Sequence, residues 1–178
     1  MKVIVVGAGV IGCAVAYELA RRGAKVHVLD SRPPGRGATF ASAGILAPAV
    51  EGHNPDLLHL TSCSLAAYDD FITRVRRDSG GDVEYARTGT LQVAFTSEQA
   101  AVLNESAARC ATSGIAHALL DGAGARALEP HVSTAVMSAL HVPTQGYVSA
   151  EQLVSALVQA AVSRGATVTN SRVERIDE

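Results

Sequence analysis

The stretch "VIVVGAGVIGCAVAYELARRGAKVHVLD", residues 3–30, constrains this chain more than any other. The apolar run over 3–6 predicts a strand over 2–6, residues 10–22 read as a helix, and 25–29 as a second strand, together a βαβ unit. Gly7 permits a tight turn off the first strand, Gly9 lets backbone approach a pyrophosphate, and Gly12 lets helix and sheet pack closely. Val10 and Ile11 lie between these glycines, where a helix N-terminus offers free N–H groups and a partial positive charge. Asp30 ends the second strand, 18 residues past Gly12, placed to accept hydrogen bonds from a ribose diol. A G-x-G-x-x-G alone is a weak signal. Here it follows a strand, opens a helix and leads to an acid, which predicts a bound dinucleotide. The carboxylate disfavours NADP by repelling a 2′-phosphate, although Arg32 stands nearby.

The remainder reads as alternating helices and strands. A helix is predicted over 55–77, and strands over 83–85 and 90–95. "TSEQAAVLNESAARC" starts with a capping box, Thr96 to Gln99, and "SAEQLVSALVQAAVSRG" repeats the device from Ser149 to Gln152. Between these helices 136–142 reads as a strand, and the end as two short strands. Apolar residues make up 48% and aromatics only 4%, so the core should be Ala, Val and Leu, as in helix-covered parallel sheets. A net charge of −2 with scattered signs gives no reason to expect nucleic acid or a membrane surface as partner. No apolar run is long enough to span a bilayer and no leader is recognisable, so the expected location is cytoplasmic. Cys13, Cys63 and Cys110 are widely spaced and favour packing over a disulfide framework or zinc site. His27, His53, His59, His117, His131 and His141 form no ligand-spaced pair, and no metal is expected.

Residues 31–48, "SRPPGRGATFASAGILAP", form a long loop of small residues where a simple NAD fold would enter its next helix. Through "GATFASAGILAP", then "TGTLQVAFT" and "ALEPHVSTAVMSALHVPTQGYVSAEQLVSALVQAAVSRGATV", the whole chain resembles the amino-acid-oxidising flavoproteins. These include glycine oxidase, D-amino-acid oxidase or dehydrogenase, and sarcosine oxidase. The resemblance is strongest to glycine oxidases of thiamine biosynthesis. It implies an α/β fold: a Rossmann-like FAD-binding sheet with an inserted, incomplete α+β substrate domain. The expected division is 1–50 for the βαβ unit and flavin loop, 51–84 for a helical continuation, 85–145 for part of the substrate domain, and 146–178 for the return. By resemblance, Gly7, Gly9, Val10, Ile11 and Gly12 meet the FAD pyrophosphate, and Asp30 with Ser31 the ribose. Ala38, Thr39, Ala43, Gly44 and Ile45 run along the pyrophosphate, ribityl chain and flavin, and a Val173 backbone group meets the adenine. Ala41 stands where some relatives attach flavin through a His, which implies non-covalent FAD.

The family's chemistry is hydride transfer from a small amino acid or amine to flavin, imine hydrolysis, and reoxidation by oxygen to hydrogen peroxide. No residue here is assigned to catalysis. Arg87 and Arg126 read as solvated surface charges, and the family's substrate Arg lies beyond residue 178. The chain is expected to be the N-terminal half of such an enzyme, inactive by itself. A fragment or mis-split reading frame is favoured, with one half of a two-chain enzyme and a stand-alone domain as alternatives. Such a half should expose an edge strand and an apolar sheet face, inviting a second chain or self-association. The competing reading is a non-catalytic nucleotide- or partner-binding module; an NAD-dependent reductase is disfavoured by the unexplained loop.

Overall fold

A computed structural model describes residues 1–48 and 55–176, with only the backbone for 55 and 56. His53 lies outside the described residues. In chain order the first elements are β1 (Lys2–Val6), α1 (Val10–Arg21), β2 (Lys25–Asp30), a 3₁₀ turn (Ala38–Ala41), β3 (Ile45–Leu46), α2 (Pro55–Ala66) and α3 (Tyr68–Ser79). Then follow β4 (Tyr85–Ala86), β5 (Thr90–Ala94), α4 (Ser97–Thr112), β6 (Ala118–Asp121), α5 (Gly122–Leu128), β7 (Ser138–Val142), β8 (Gly146–Val148), α6 (Ala150–Ser163) and β9 (Thr167–Asn170). The chain divides into two compact units, one of Met1–Ile45, Tyr68–Tyr85 and Val148–Glu178, the other of Leu46–Ala67 and Ala86–Tyr147. Among the described residues no helix is long and apolar enough to cross a membrane.

In the first unit β1, β2 and β9 form a parallel sheet in the order β1-β2-β9, with Val3 beside Val26 and Val5 beside Val28. Helix α1 buries Cys13, Ala16, Tyr17 and Ala20, and α6 buries Leu153, Val154, Ala156, Leu157, Ala160 and Ala161. The alanines let helices sit close to each other and to the sheet, which is how a core with few aromatics reaches native packing density. Ile72 and Val75 of α3 complete this layer. One buried carboxylate ties it together: Asp78 accepts from Tyr17 Oη at 2.8 Å and is paired with Arg77 and Arg164, each at 3.0 Å.

In the second unit β5, β7 and β6 form an antiparallel sheet in the order β5-β7-β6. Helix α4 sets Leu103, Ala107 and Cys110 against Ala94, Leu140 and Val142. The alternate strand residues, Leu91, Val93, Leu120 and Ala139, pack with Ala125 of α5 and Val136. The period of two along each strand thus gives the sheet two apolar faces.

The expected helices form, with informative changes. Thr96 Oγ1 accepts from the Gln99 amide as a capping box requires, but Gln99 Oε1 returns to the Phe95 amide at 2.7 Å instead of to Thr96. Ser149 caps α6 similarly, while Gln152 Oε1 accepts from Glu84 N. The helix expected over 55–77 is interrupted at Ala67. There the Leu65 carbonyl accepts from Arg87 Nη2 at 2.6 Å. Arg87 is therefore not a free surface charge: it is half-buried, and its Nη1 also donates to the Thr144 carbonyl at 2.9 Å. Arg126 is likewise half-buried. The strand expected over 83–85 forms at Tyr85–Ala86, and that over 136–142 begins at Ser138 because Val136 closes a turn onto Ser133 O. Among the described residues one strand, β9, follows α6, and 171–176 has no regular structure.

Leu157 has no exposed surface and lies on the buried face of α6 with Leu153, Val154, Ala160 and Ala161. Leu157→Ala should therefore destabilise the first unit by about 2–5 kcal/mol, read as a lowered midpoint in thermal or urea unfolding.

Candidate functional site

The turn between β1 and α1 is built by backbone constraints. Gly7 has φ +104°, a conformation that side-chain-bearing residues rarely adopt. A Cβ on Gly12 would stand 1.9 Å from the Gly7 carbonyl oxygen, so the first turn of α1 can close onto the loop only without one. Gly9 occupies the N-cap and supplies no side-chain acceptor, and no acid stands in the first turn. The positive end of α1 is thus left without a charge from its own segment.

Two side chains from later in the chain reach this turn. Asp30 Oδ2 accepts from the Ala8 amide at 2.8 Å, and Oδ1 from the Arg32 amide at 2.9 Å. Thr39 Oγ1 accepts from the Val10 amide at 3.1 Å. The loop after β2 is fastened to the same place, since the Gly35 amide donates to the Ala8 carbonyl at 2.8 Å. Gly7, Gly9, Val10, Ile11, Gly12, Asp30 and Thr39 are therefore one cluster. Ile11 stands on it 75% exposed, a large apolar side chain at the mouth of the turn.

The Asp30 carboxyl is held below the usual carboxylate range, first by the Ala8 amide and next by that of Arg32. Cys13 lies beneath the turn with its thiol directed to the Ala8 carbonyl at 3.4 Å. Burial, with the Asp30 charge as a smaller contribution, pushes it up to about 11. That makes it a packed, inert thiol, because thiolate is the reactive form.

The other expected residues divide. Ser31 is exposed beside Asp30, and the Ser171 amide donates to the Asp30 carbonyl at 2.8 Å. That contact brings the segment after β9, which carries half-buried Val173, back toward the end of β2. Ala38, Ala41 and Ala43 are exposed, so tight packing does not explain their small size. Gly44 differs: it is buried with φ +69°, and a Cβ there would stand 1.9 Å from the Val148 carbonyl oxygen. Strand packing alone accounts for that glycine. Ile45 beside it is 64% exposed.

Sequence reading missed the roles of Gly35, Arg36 and Phe40. Arg36 stacks over the Phe40 ring at 4.8 Å and faces Glu151 at 3.6 Å. With Pro34, Val154 and Gln159 they line a cavity of about 330 Å³, which does not include Gly7, Gly9, Gly12 or Asp30. The "PPGRGATF" composition hid these contacts because glycine and proline announce a turn without saying what it touches.

Fold and turn together define a dinucleotide-binding α/β protein. The chain belongs to the DAO family of FAD-dependent oxidoreductases, whose family model matches residues 2–178. It is 32% identical to glycine oxidase of Geobacillus kaustophilus over 166 residues, 92% of this chain and 44% of that protein. The crystal structure of that glycine oxidase superposes with a TM-score of 0.90 over 94% of this chain and 45% of the other. The uncharacterized oxidoreductase YurR of Bacillus subtilis is 30% identical, covering 98% of this chain and 48% of its own. The bifunctional protein ThiO/ThiG of Synechocystis is also 30% identical, over 93% of this chain and 24% of its length. The chain spans less than half the length of each of these relatives.

A carboxyl held below its ordinary range binds its proton less readily in the folded than in the unfolded chain. Lowering the pH from about 4 therefore protonates the unfolded state first, and the stability Asp30 contributes is lost as the pH falls through its folded value. Asp30→Asn should flatten this acid limb of stability, measured as unfolding midpoints between roughly pH 5 and pH 2.5.

Proposed function

We propose that this chain holds FAD on the turn between β1 and α1, and that it serves a glycine oxidase-like oxidation of a small amino acid or amine. The observation that carries the first part is the N-terminus of α1, which has no cap or acid from its own segment, with the Asp30 carboxylate fixed beside it by the Ala8 amide. These residues fit the group. First-turn amides at a helix N-terminus suit a pyrophosphate. An ionised carboxylate has about four acceptor positions, so Asp30 keeps capacity for a ribose diol after accepting from Ala8 and Arg32.

In this reading Gly7, Gly9, Val10, Ile11 and Gly12 receive the pyrophosphate, Asp30 and Ser31 the ribose, and the Val173 backbone the adenine. Ala38, Thr39, Ala43, Gly44 and Ile45 border the path toward the flavin. Thr39 ties that loop to the helix N-terminus, so the two stretches are held as one surface. FAD, held non-covalently, would supply the hydride acceptor. The protein's contribution is then to orient it and exclude water. Glycine and related small amino acids are the proposed substrate class, supported by the similarity to glycine oxidase.

The test is titration of the purified chain with FAD, followed by quenching of flavin fluorescence. Saturable binding is expected. Asp30→Ala should weaken it by roughly one to two decades, the loss expected for charge-assisted bonds worth about 1.5–3 kcal/mol. Saturable binding of NADH without binding of FAD would overturn the reading, and an Asp30→Ala variant with unchanged affinity would move the ribose elsewhere.

A further inference from the structure

The cavity of about 330 Å³ lies wholly within the first unit, between the loop that follows β2 and the solvent-facing side of α6. Its shape is set by backbone. Gly35 has φ +77°, which favours glycine, and it passes so near α6 that a Cβ there would stand 3.3 Å from Cγ1 of Val154. The Gly35 amide donates to the Ala8 carbonyl at 2.8 Å and Thr39 Oγ1 accepts from the Val10 amide at 3.1 Å, which pins the loop at two points. The cavity is therefore formed before anything enters it. Its volume stands at the low end of the roughly 300–1,000 Å³ of small-molecule sites.

Two kinds of group line it. Val154 and Val158 of α6, Pro34 and the Phe40 ring are apolar, and Phe40 is 61% exposed, a large aromatic surface open to a ligand. Beside them stand one cation and one anion. Arg36 lies over Phe40 at 4.8 Å and faces the Glu151 carboxylate at 3.6 Å. That separation is too long for a hydrogen bond, so the two groups attract without satisfying each other's donors and acceptors. Both side chains are at least half exposed, and a ligand can part them at little cost. A lone carboxylate or phosphate brought to Arg36 would meet repulsion from Glu151, and a lone amine brought to Glu151 repulsion from Arg36. A ligand that carries both charges side by side on an apolar body meets neither penalty and answers both groups.

We propose that this cavity binds a free α-amino acid with an apolar side chain, its carboxylate on Arg36, its ammonium on Glu151 and its side chain against Phe40, Val154 and Val158. The site is separate from the turn proposed to hold FAD, since it takes in none of Gly7, Gly9, Gly12 or Asp30. Thr39 stands in both, so an occupant rests on the loop that is fastened to the α1 N-terminus.

The experiment titrates the intact chain with L-leucine and follows backbone amide shifts by NMR. Saturable shifts are expected at Gly35, Arg36, Phe40 and Ser155, with a midpoint on the order of a millimolar, as befits so small a ligand. Isocaproate, which lacks the ammonium, and isoamylamine, which lacks the carboxylate, should bind about fivefold more weakly or worse. Arg36→Gln and Glu151→Gln should each lower leucine affinity to the same degree while keeping the unfolding midpoint, because both side chains stand largely in solvent. Absence of saturation, equal binding of the one-charge analogues, or variants that bind leucine as the original chain does would each overturn the proposal. So would leucine shifts that added FAD reverses, which would assign the cavity to the nucleotide. The leucine titration needs no cofactor, so its failure is separate from a failure of FAD binding.

Discussion

The hydrogen bond from the Ala8 amide to the Asp30 carboxylate, 2.8 Å long, is the contact on which the organisation of the candidate site rests. It joins the turn after β1 to the end of β2, two places 22 residues apart. Parallel pairing of the strands brings them near each other; the carboxylate fixes the distance. Because the acceptor is ionised, the bond belongs to the stronger class, and a second amide, from Arg32, holds the same group. The loop that follows inherits this position through the Gly35 amide and Thr39 Oγ1, both bonded within Ala8 to Val10. One acid thus orders a helix N-terminus and starts the loop that runs past it.

What supports that turn from below is close packing by small residues. Cys13, Ala16, Tyr17 and Ala20 of α1 are all buried, and the alanines of α6 answer them. Small side chains bring backbones together but leave little apolar surface to bury, and the Asp78 knot supplies part of what is missing. Its carboxylate, with only 3% of its side chain exposed, joins Tyr17 of α1, Arg77 of α3 and Arg164 at the end of α6. Removing one partner from such a group costs more than its neutral replacement would, because a buried charge is left short of partners. The helical layer therefore has a defined register even though few large side chains interlock within it.

Much of this was legible in the sequence, for reasons that differ by element. β1, α1 and β2 are encoded locally, by an apolar run, a glycine spacing and an acid, and the structure places all three as expected. The capped helices α4 and α6 are equally local, since Thr96 and Ser149 act on amides three residues away. The break at Ala67 was not legible, because the Leu65 carbonyl is taken by Arg87, distant in sequence. For the same reason Arg87 reads as a surface charge until its two carbonyl partners are seen. Helix α5 was hidden by Gly122 and Gly124 in a seven-residue segment, although Asp121 caps it by accepting from the Gly124 amide. At the site the glycines were legible but their reasons were not uniform. Gly44 is small because of the Val148 carbonyl, whereas Ala38 and Ala43 stand in solvent and owe their size to no packing seen among the described residues.

The bare face of the sheet and the candidate site are not independent, because Val6 and Gly7 are consecutive. Val6 is more than half exposed, and Gly7 begins the turn with a conformation that few residues adopt. Covering Val6 would restrict the strand end from which that turn departs, and so reduce the ordering entropy a ligand must overcome there. A ligand held on the turn would in the same way order β1 for whatever lies against it. By linkage the two effects must be equal in free energy, whichever partner arrives first. The turn already has its internal restraints in Asp30 and Thr39, whereas among the described residues only one face of the strand beneath it is covered.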